Sequence, residues 1–461
     1  IVASGDVTFE TGADIITATA GTSNLRLGVG AGDAIQSGGN YNVCVGDQAG
    51  TTLTTGDHNT LLGFDAGGSL GTGGENTLLG SEVGDVLNTG IQNVAVGYLA
   101  LSADTEGSTS VAIGVAALGS QNFTSATNSY NTAVGYDTGG AVTTGIENTL
   151  IGALCGDAIS SGSYNTALGQ NALGALTTTN NNVAIGYYAL KTNTTGQNTA
   201  VGYAAAYQNT TGTTNTAIGH YALQANTTAS NNTMVGHKAG YTNITGANNT
   251  AVGAEALYDN TTGINNAAFG YAALANNTTG RNNTASGYYS LITNTTGTDN
   301  TAYGYGTLMV CTTGYNNVAV GGGASYLSAS MQALTTGYRN TAVGAGAGGG
   351  ITTGANNVAI GDAALYNCTT EGQNTVVGTQ AMIHSTTGYD NVAVGYLAGS
   401  AVTTGYNNIF VGTDTGITGS PGGNVTTASN ILALGDENIG AAHIQVDWSV
   451  ASDQRDKTDF A

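Results

Sequence analysis

Cationic side chains are the scarcest feature of this sequence. Seven Lys and Arg stand against 28 Asp and Glu in 461 residues, a formal net charge of −21. A groove that neutralises phosphates needs clustered Lys and Arg, so nothing here supports nucleic-acid binding, and anionic membrane surfaces repel such a chain. Residues of either charge make up only 8 %. No apolar run approaches the roughly 18 residues of a transmembrane helix, which argues against membrane insertion. Cysteine is confined to Cys44, Cys155, Cys311 and Cys368, far apart and without paired spacing. Disulfide and zinc frameworks are therefore unsupported, and small buried fillers is the better reading. Proline occurs once, at Pro421. The chain opens at Ile1 with neither Met nor a hydrophobic signal core, which points to a processed product or an internal piece.

What is present is a ruler-like repeat. A run with the consensus Asn-(Thr/Val)-Ala-(Val/Ile/Leu)-Gly recurs, and its glycine marks 24 copies, from Gly28 and Gly46 through Gly186, Gly253 and Gly321 to Gly412 and Gly435. Of the 23 intervals between these glycines, 18 are 17 residues long. A short period held this long indicates stacked coils that touch only their neighbours, and not three globular domains. High Gly content (74 residues) would suit a disordered chain, but 40 % of residues are apolar and fall in fixed register, so each repeat has something to bury.

One repeat shows the logic. Asn198-Thr199-Ala200-Val201-Gly202-Tyr203 alternates polar and apolar residues, a short strand with one buried face. The segment after the glycine, as in Tyr221-Ala222-Leu223, carries a second small apolar face and is expected as another short strand. Asn209-Thr210-Thr211-Gly212 has turn chemistry and is expected on the surface. Helices are excluded, because no 3.6-residue stripe exists and interior Gly costs about 1 kcal/mol against Ala. The expectation is an elongated, all-β parallel β-solenoid of about 24 coils with a 17-residue period. At a strand spacing of roughly 4.8 Å it would be about 115 Å long, with the motif Asn forming a ladder along it. Only two or three apolar side chains per repeat face any one side. A homotrimer that shares the Ala and Val stripe as a common core is the simplest solution.

Asn182-Val183-Ala184-Ile185-Gly186 resembles the repeats in the heads of trimeric autotransporter adhesins, and the likeness spans about residues 24–435. It implies a parallel β-roll of three chains, although those heads use a shorter period. A second resemblance lies in Ser452-Asp453-Gln454-Arg455-Asp456-Lys457-Thr458-Asp459, which is similar to the opening of the intramolecular chaperone that ends phage tail fibres and endosialidase-type tailspikes. In that family a Ser and a Lys five positions later cut the chain just before the Ser, and Ser452 and Lys457 match the spacing. A Lys of lowered pKa serving a Ser nucleophile is sound chemistry. Asp456 and Phe460 depart from the more apolar family pattern.

Other patterns weigh less. The Asn-x-Thr sequons, such as Asn193-Thr194-Thr195, read as turn residues before glycan acceptors. Tyrosines recur just after the motif Gly (Tyr98, Tyr136, Tyr187, Tyr203, Tyr271, Tyr288, Tyr305, Tyr396) and just before the motif Asn (Tyr41, Tyr315, Tyr338, Tyr389, Tyr406). They could stack on sugar rings; stacking on one another to stiffen the array is favoured. His220 and His237 occupy the same ladder position, while His58, His384 and His443 are scattered. Acidic residues follow no calcium-loop pattern, no phosphate loop or Ser-His-Asp cluster can be assembled, and no cofactor or metal is expected. Longer coils at 115–130, 322–339 and 413–429 map to outer loops.

These readings converge on a structural and adhesive fibre of a phage tail, non-enzymatic apart from single-turnover self-cleavage before Ser452. Residues 1–27 would form a leading cap or connector, 28–435 the repeat shaft, and 436–461 a closing cap (with Trp448) running into the cleavage segment. Its expected place is the virion tail, and its expected partners are two further copies of the chain, other tail proteins, and a glycan or protein receptor on the host cell. A bacterial surface adhesin and a polysaccharide-degrading tailspike are the alternatives.

Overall fold

A computed structural model describes residues 20–323, 329–420, 423–436 and 438–439. The chain is an all-β parallel β-solenoid, and no helix is present among the described residues. Its repeating strand is only three residues long, set between the motif Asn and the motif Gly. Thr199–Val201 pairs in parallel with Thr216–Ile218, placing Ala200 beside Ala217 and Val201 beside Ile218, so the pairing register is the sequence period itself. Seventeen such strands lie in a first unit, from Leu25–Leu27 to Thr301–Tyr303, and seven in a second, from Val318–Val320 to Leu432–Leu434.

Side chains alternate across the strand, so its middle residue points inward and its outer two do not. The middle column (Cys44, Leu61, Ala95, Ala112, Ala200, Ala251, Phe410) is fully buried within the single chain. It meets the second inward pair of each coil, such as Ala222 and Leu223 or Ala256 and Leu257, which are buried too. One chain therefore closes its own narrow core. The Ala stripe expected to be shared between three chains is instead each chain's interior; the first and third strand residues remain outside.

The expected second strand is not one. After each motif Gly the backbone runs through successive turns, with positive φ at the second and fourth residues: Tyr188 (61°) and Leu190 (50°), Ala204 (51°) and Ala206 (49°), Lys238 (53°) in the next coils. A left-handed residue with a Cβ costs roughly 1–2 kcal/mol. The conformation holds because alternate N–H groups then point to opposite neighbouring coils. Ala204 N–H donates to the Tyr187 carbonyl at 2.9 Å, and Ala206 N–H to the Ala222 carbonyl at 2.9 Å. Alternating φ thus does for this side of the coil what a strand would do.

Two asparagine ladders run through the coils. The motif Asn forms the expected one: Asn249 N–H donates to Asn232 Oδ1 at 2.9 Å, Asn249 Nδ2 donates to the Gly263 carbonyl at 2.8 Å, and Asn266 N–H donates to Asn249 Oδ1 at 2.9 Å. The second ladder corrects the surface-turn reading of Asn-Thr-Thr-Gly. Asn193, Asn209, Asn226, Asn243, Asn260, Asn277 and Asn294 are completely buried, and from Asn209 onward each Nδ2 donates to the preceding Oδ1 at 2.6–3.1 Å. In other coils the same column holds Leu53, Leu70, Leu87, Leu176, Leu334 or Cys311. No glycan could be attached to an asparagine buried there.

Candidate functional site

Ser452 and Lys457, the self-cleavage candidates, lie outside the described residues, as do Trp448, Pro421 and most of the two end segments. Among the described residues no cluster of three or more His, Cys, Asp or Glu could hold a metal ion, and no helix is long and apolar enough to cross a membrane. All four cysteines are buried. Burial pushes the Cys44 and Cys368 thiols up to about 11 and Cys155 to about 12, so none is a nucleophile at neutral pH. Cys155 fills the small inward position that Ala occupies in other coils. What the fold offers to a partner is therefore on its outer faces.

The first such face is aliphatic. The third strand residue is aliphatic in every coil except those of Phe269, Ser286 and Tyr303, and in the first unit Leu62, Ile113, Ile151, Leu168, Ile218 and Val252 are 37–47 % exposed. In the second unit Val343, Ile360, Val394, Val411 and Leu434 repeat the pattern. Since each coil has already filled its own interior, folding of one chain does not require this column to be apolar.

The second face is aromatic. Directly after the motif Gly, Tyr187, Tyr203, His220 and His237 stack in sequence at 5.2–5.5 Å, with ring planes within about 21°. Both histidines are ladder members, as the spacing implied. Before the motif Asn, Tyr41 stacks on His58 at 4.9 Å, Tyr315 on Tyr338 at 4.8 Å and Tyr389 on Tyr406 at 4.9 Å. Strand spacing fixes these separations, because identical positions in adjacent coils repeat at the pitch of the sheet. The sequence reading missed a neighbouring column, in which Tyr241 stacks on Tyr258 at 5.2 Å and Tyr188 meets Tyr207. Lysines lie on these rings: Lys191 Nζ is 4.2 Å from the Tyr188 centroid, and Lys238 Nζ is 5.7 Å from that of Tyr241. Counting positions two and five residues after each motif Gly would have exposed this column.

A third feature is internal. In the coil just before the repeat lengthens to 21 residues, Ser110 replaces the motif Asn and Asp104 occupies the interior column. Asp104 is fully buried and accepts from Gln121 Nε2 at 2.6 Å and from the N–H groups of Gly107 and Phe123 at 3.0 Å. Gln121 also donates to Ser110 Oγ and accepts from Asn131 Nδ2, while Ser110 and Ser129 share a 2.6 Å bond. The inserted residues add a small parallel pair, Gly107–Ser108 with Thr127–Asn128. Sequence reading placed this insertion in an outer loop; a buried carboxylate network was legible only as a broken motif.

Burial raises the Asp104 carboxyl above its ordinary range against those hydrogen bonds, and burial likewise raises Asp85 and Asp157. A carboxyl whose folded pKa exceeds its unfolded one stabilises the fold fully below the unfolded value, and loses that contribution as pH rises through the folded one. Melting temperature is therefore expected to fall as pH rises above the ordinary carboxyl value of about 4. Melting curves at fixed ionic strength check this, and a curve that climbs over the same window contradicts it.

Neither a scan against protein-family models nor a search of curated proteins returns a match for this chain.

Proposed function

We propose that this chain is the repeat shaft of a trimeric, adhesive phage tail fibre, matured by release of a C-terminal chaperone that begins at Ser452. One observation carries the reading: an outward aliphatic column repeats coil after coil on a chain whose core is already closed. Contiguous apolar surface of this kind marks an interaction site. The partner that matches it at every coil is one with the same spacing, namely another copy of the chain. The resemblance to adhesin heads sets the number at three, and the Ser452–Lys457 spacing supports the tail-fibre setting over a bacterial surface adhesin. The aromatic ladder is then the surface turned to the host receptor.

Native mass spectrometry is expected to give three chains. Ile151→Glu combined with Ile218→Glu should shift the assembly to single chains without loss of the β-solenoid's circular dichroism, because both side chains lie outside the core. A wild-type monomer sinks the trimer. In a precursor carrying the whole chaperone, cleavage before Ser452 should disappear in Ser452→Ala; cleavage that persists removes the maturation claim.

A further inference from the structure

Between Gly186 and Gly287 the aromatic column has one coil without a ring. Two and five residues after the motif Gly, the coils from Gly186 place Tyr188 and Lys191, Ala204 and Tyr207, Tyr221 and Gln224, Lys238 and Tyr241, then Glu255 and Tyr258. In the following coil both positions are alanine, Ala272 and Ala275. These small residues floor a cleft of about 370 Å3 walled by Tyr258, Tyr271 and Tyr289, with Glu255, Asp259 and Asn276 on its lining. Tyr271 Oη donates to Glu255 Oε2 at 3.4 Å, and Tyr271 and Tyr289 are inclined at 50° with centroids 5.6 Å apart.

Elsewhere on this column the chain supplies its own cation to the rings. Lys191 Nζ lies over Tyr188 and Tyr207 at 4.2 and 5.9 Å, and Lys238 Nζ over Tyr241 and Tyr258 at 5.7 and 5.9 Å. An ammonium group over a tyrosine face is attracted by the ring quadrupole. At the gap the aromatic walls persist, the lysine is replaced by alanine, and two carboxylates take part in the lining. The Glu255 charge is the leading cause that holds the Tyr271 hydroxyl above its ordinary range, and burial raises Asp259. The first effect marks a site whose local charge is negative.

We propose that this cleft binds the protonated amine of a hexosamine unit in a cell-surface polysaccharide, in the place that a lysine takes in the earlier coils. The volume is at the lower end for ligand sites and suits one sugar ring. Tyrosine faces accept both the ammonium and the apolar face of the ring, while Asn276 offers amide donors and an acceptor to hydroxyls. The chain's charge of −21 draws in a polycation and repels phosphorylated or sialylated polymers. The proposal rests on the adhesive reading and names its ligand class.

Isothermal titration of the full chain with a glucosamine tetramer and with its fully N-acetylated counterpart tests it. The free amine should bind at least tenfold more tightly than the acetylated form, and Glu255→Gln should weaken it about tenfold. Ala272→Lys should abolish binding by filling the gap from within. This variant is expected to fold, since Lys238 holds the same coil position at φ 53° against 50° for Ala272. Equal binding of the two tetramers, or undiminished binding by Ala272→Lys, overturns the proposal. Retention on immobilised bacterial glycans separates the two levels: retention that survives Ala272→Lys overturns the cleft and leaves adhesion standing, whereas no retention of the wild type overturns both.

Discussion

Gly219→Ala will disrupt the coils around it, with an expected loss of about 3–5 kcal/mol in local stability. Gly219 adopts φ +139°, a region L side chains rarely enter, and a Cβ there would stand 2.3 Å from the Gly236 carbonyl oxygen. That oxygen belongs to the backbone of the next coil, so no rotamer change relieves the contact. Relief requires the sheet to open. Because each coil depends mainly on its neighbours, the damage should stay local. Hydrogen exchange is the measurement: protection should fall in Thr199–Ile218 and Thr233–Val235 and persist at Thr60–Leu62. Unchanged protection at Thr216–Ile218 would show that stacking tolerates a methyl group at the motif glycine.

The buried ladder of the Asn-Thr-Thr-Gly turns should give a second large effect, with an unusual dependence on number. Asn243 donates to Asn226 Oδ1 at 3.1 Å and to the Gly246 carbonyl at 2.9 Å, and accepts from Asn260 Nδ2 at 2.6 Å. Asn243→Leu strands buried polar groups on both neighbours, at about 1–3 kcal/mol each. A single substitution is thus expected to cost about 3 kcal/mol. Replacing all seven, from Asn193 to Asn294, removes the polar partners together and recreates the aliphatic column already present at Leu53, Leu70 and Leu87. Its cost should be far below seven times the single value. Urea unfolding followed by hydrogen exchange would read both, and simple additivity would rule out a mutually dependent ladder.

The period and the parallel register were legible because strand alternation and a fixed spacing leave one arrangement open, whereas closure of the Ala column within a single chain was not. The motif Asn ladder followed for the same reason. The side of the coil after the motif Gly was misread, since Ala-Leu pairs look like strand while their conformation depends on alternating φ, at Ala204 and Ala206 for example. That choice is made by hydrogen bonds to the coils above and below, which no single repeat displays. The turn Asn was misplaced because Asn-Thr-Thr-Gly has surface chemistry in isolation. Its burial follows from the column it shares with Leu53 and Leu176. The cleft at Ala272 was invisible for a related reason: it is an absence in a column, apparent only once the coils are superimposed.

A chain built of near-identical coils can slip. Displacing one segment by a single 17-residue repeat keeps almost every backbone bond and most ladder partners, so correct and shifted stacks are close to degenerate. The irregular coil breaks that degeneracy. Asp104, Ser110, Gln121, Ser129 and Asn131 satisfy one another and nothing else in the repeat can replace them. A stack shifted there would leave a buried carboxylate against an amide or leucine, a penalty of several kcal/mol. The network thereby marks the register of that coil within the chain's own stack.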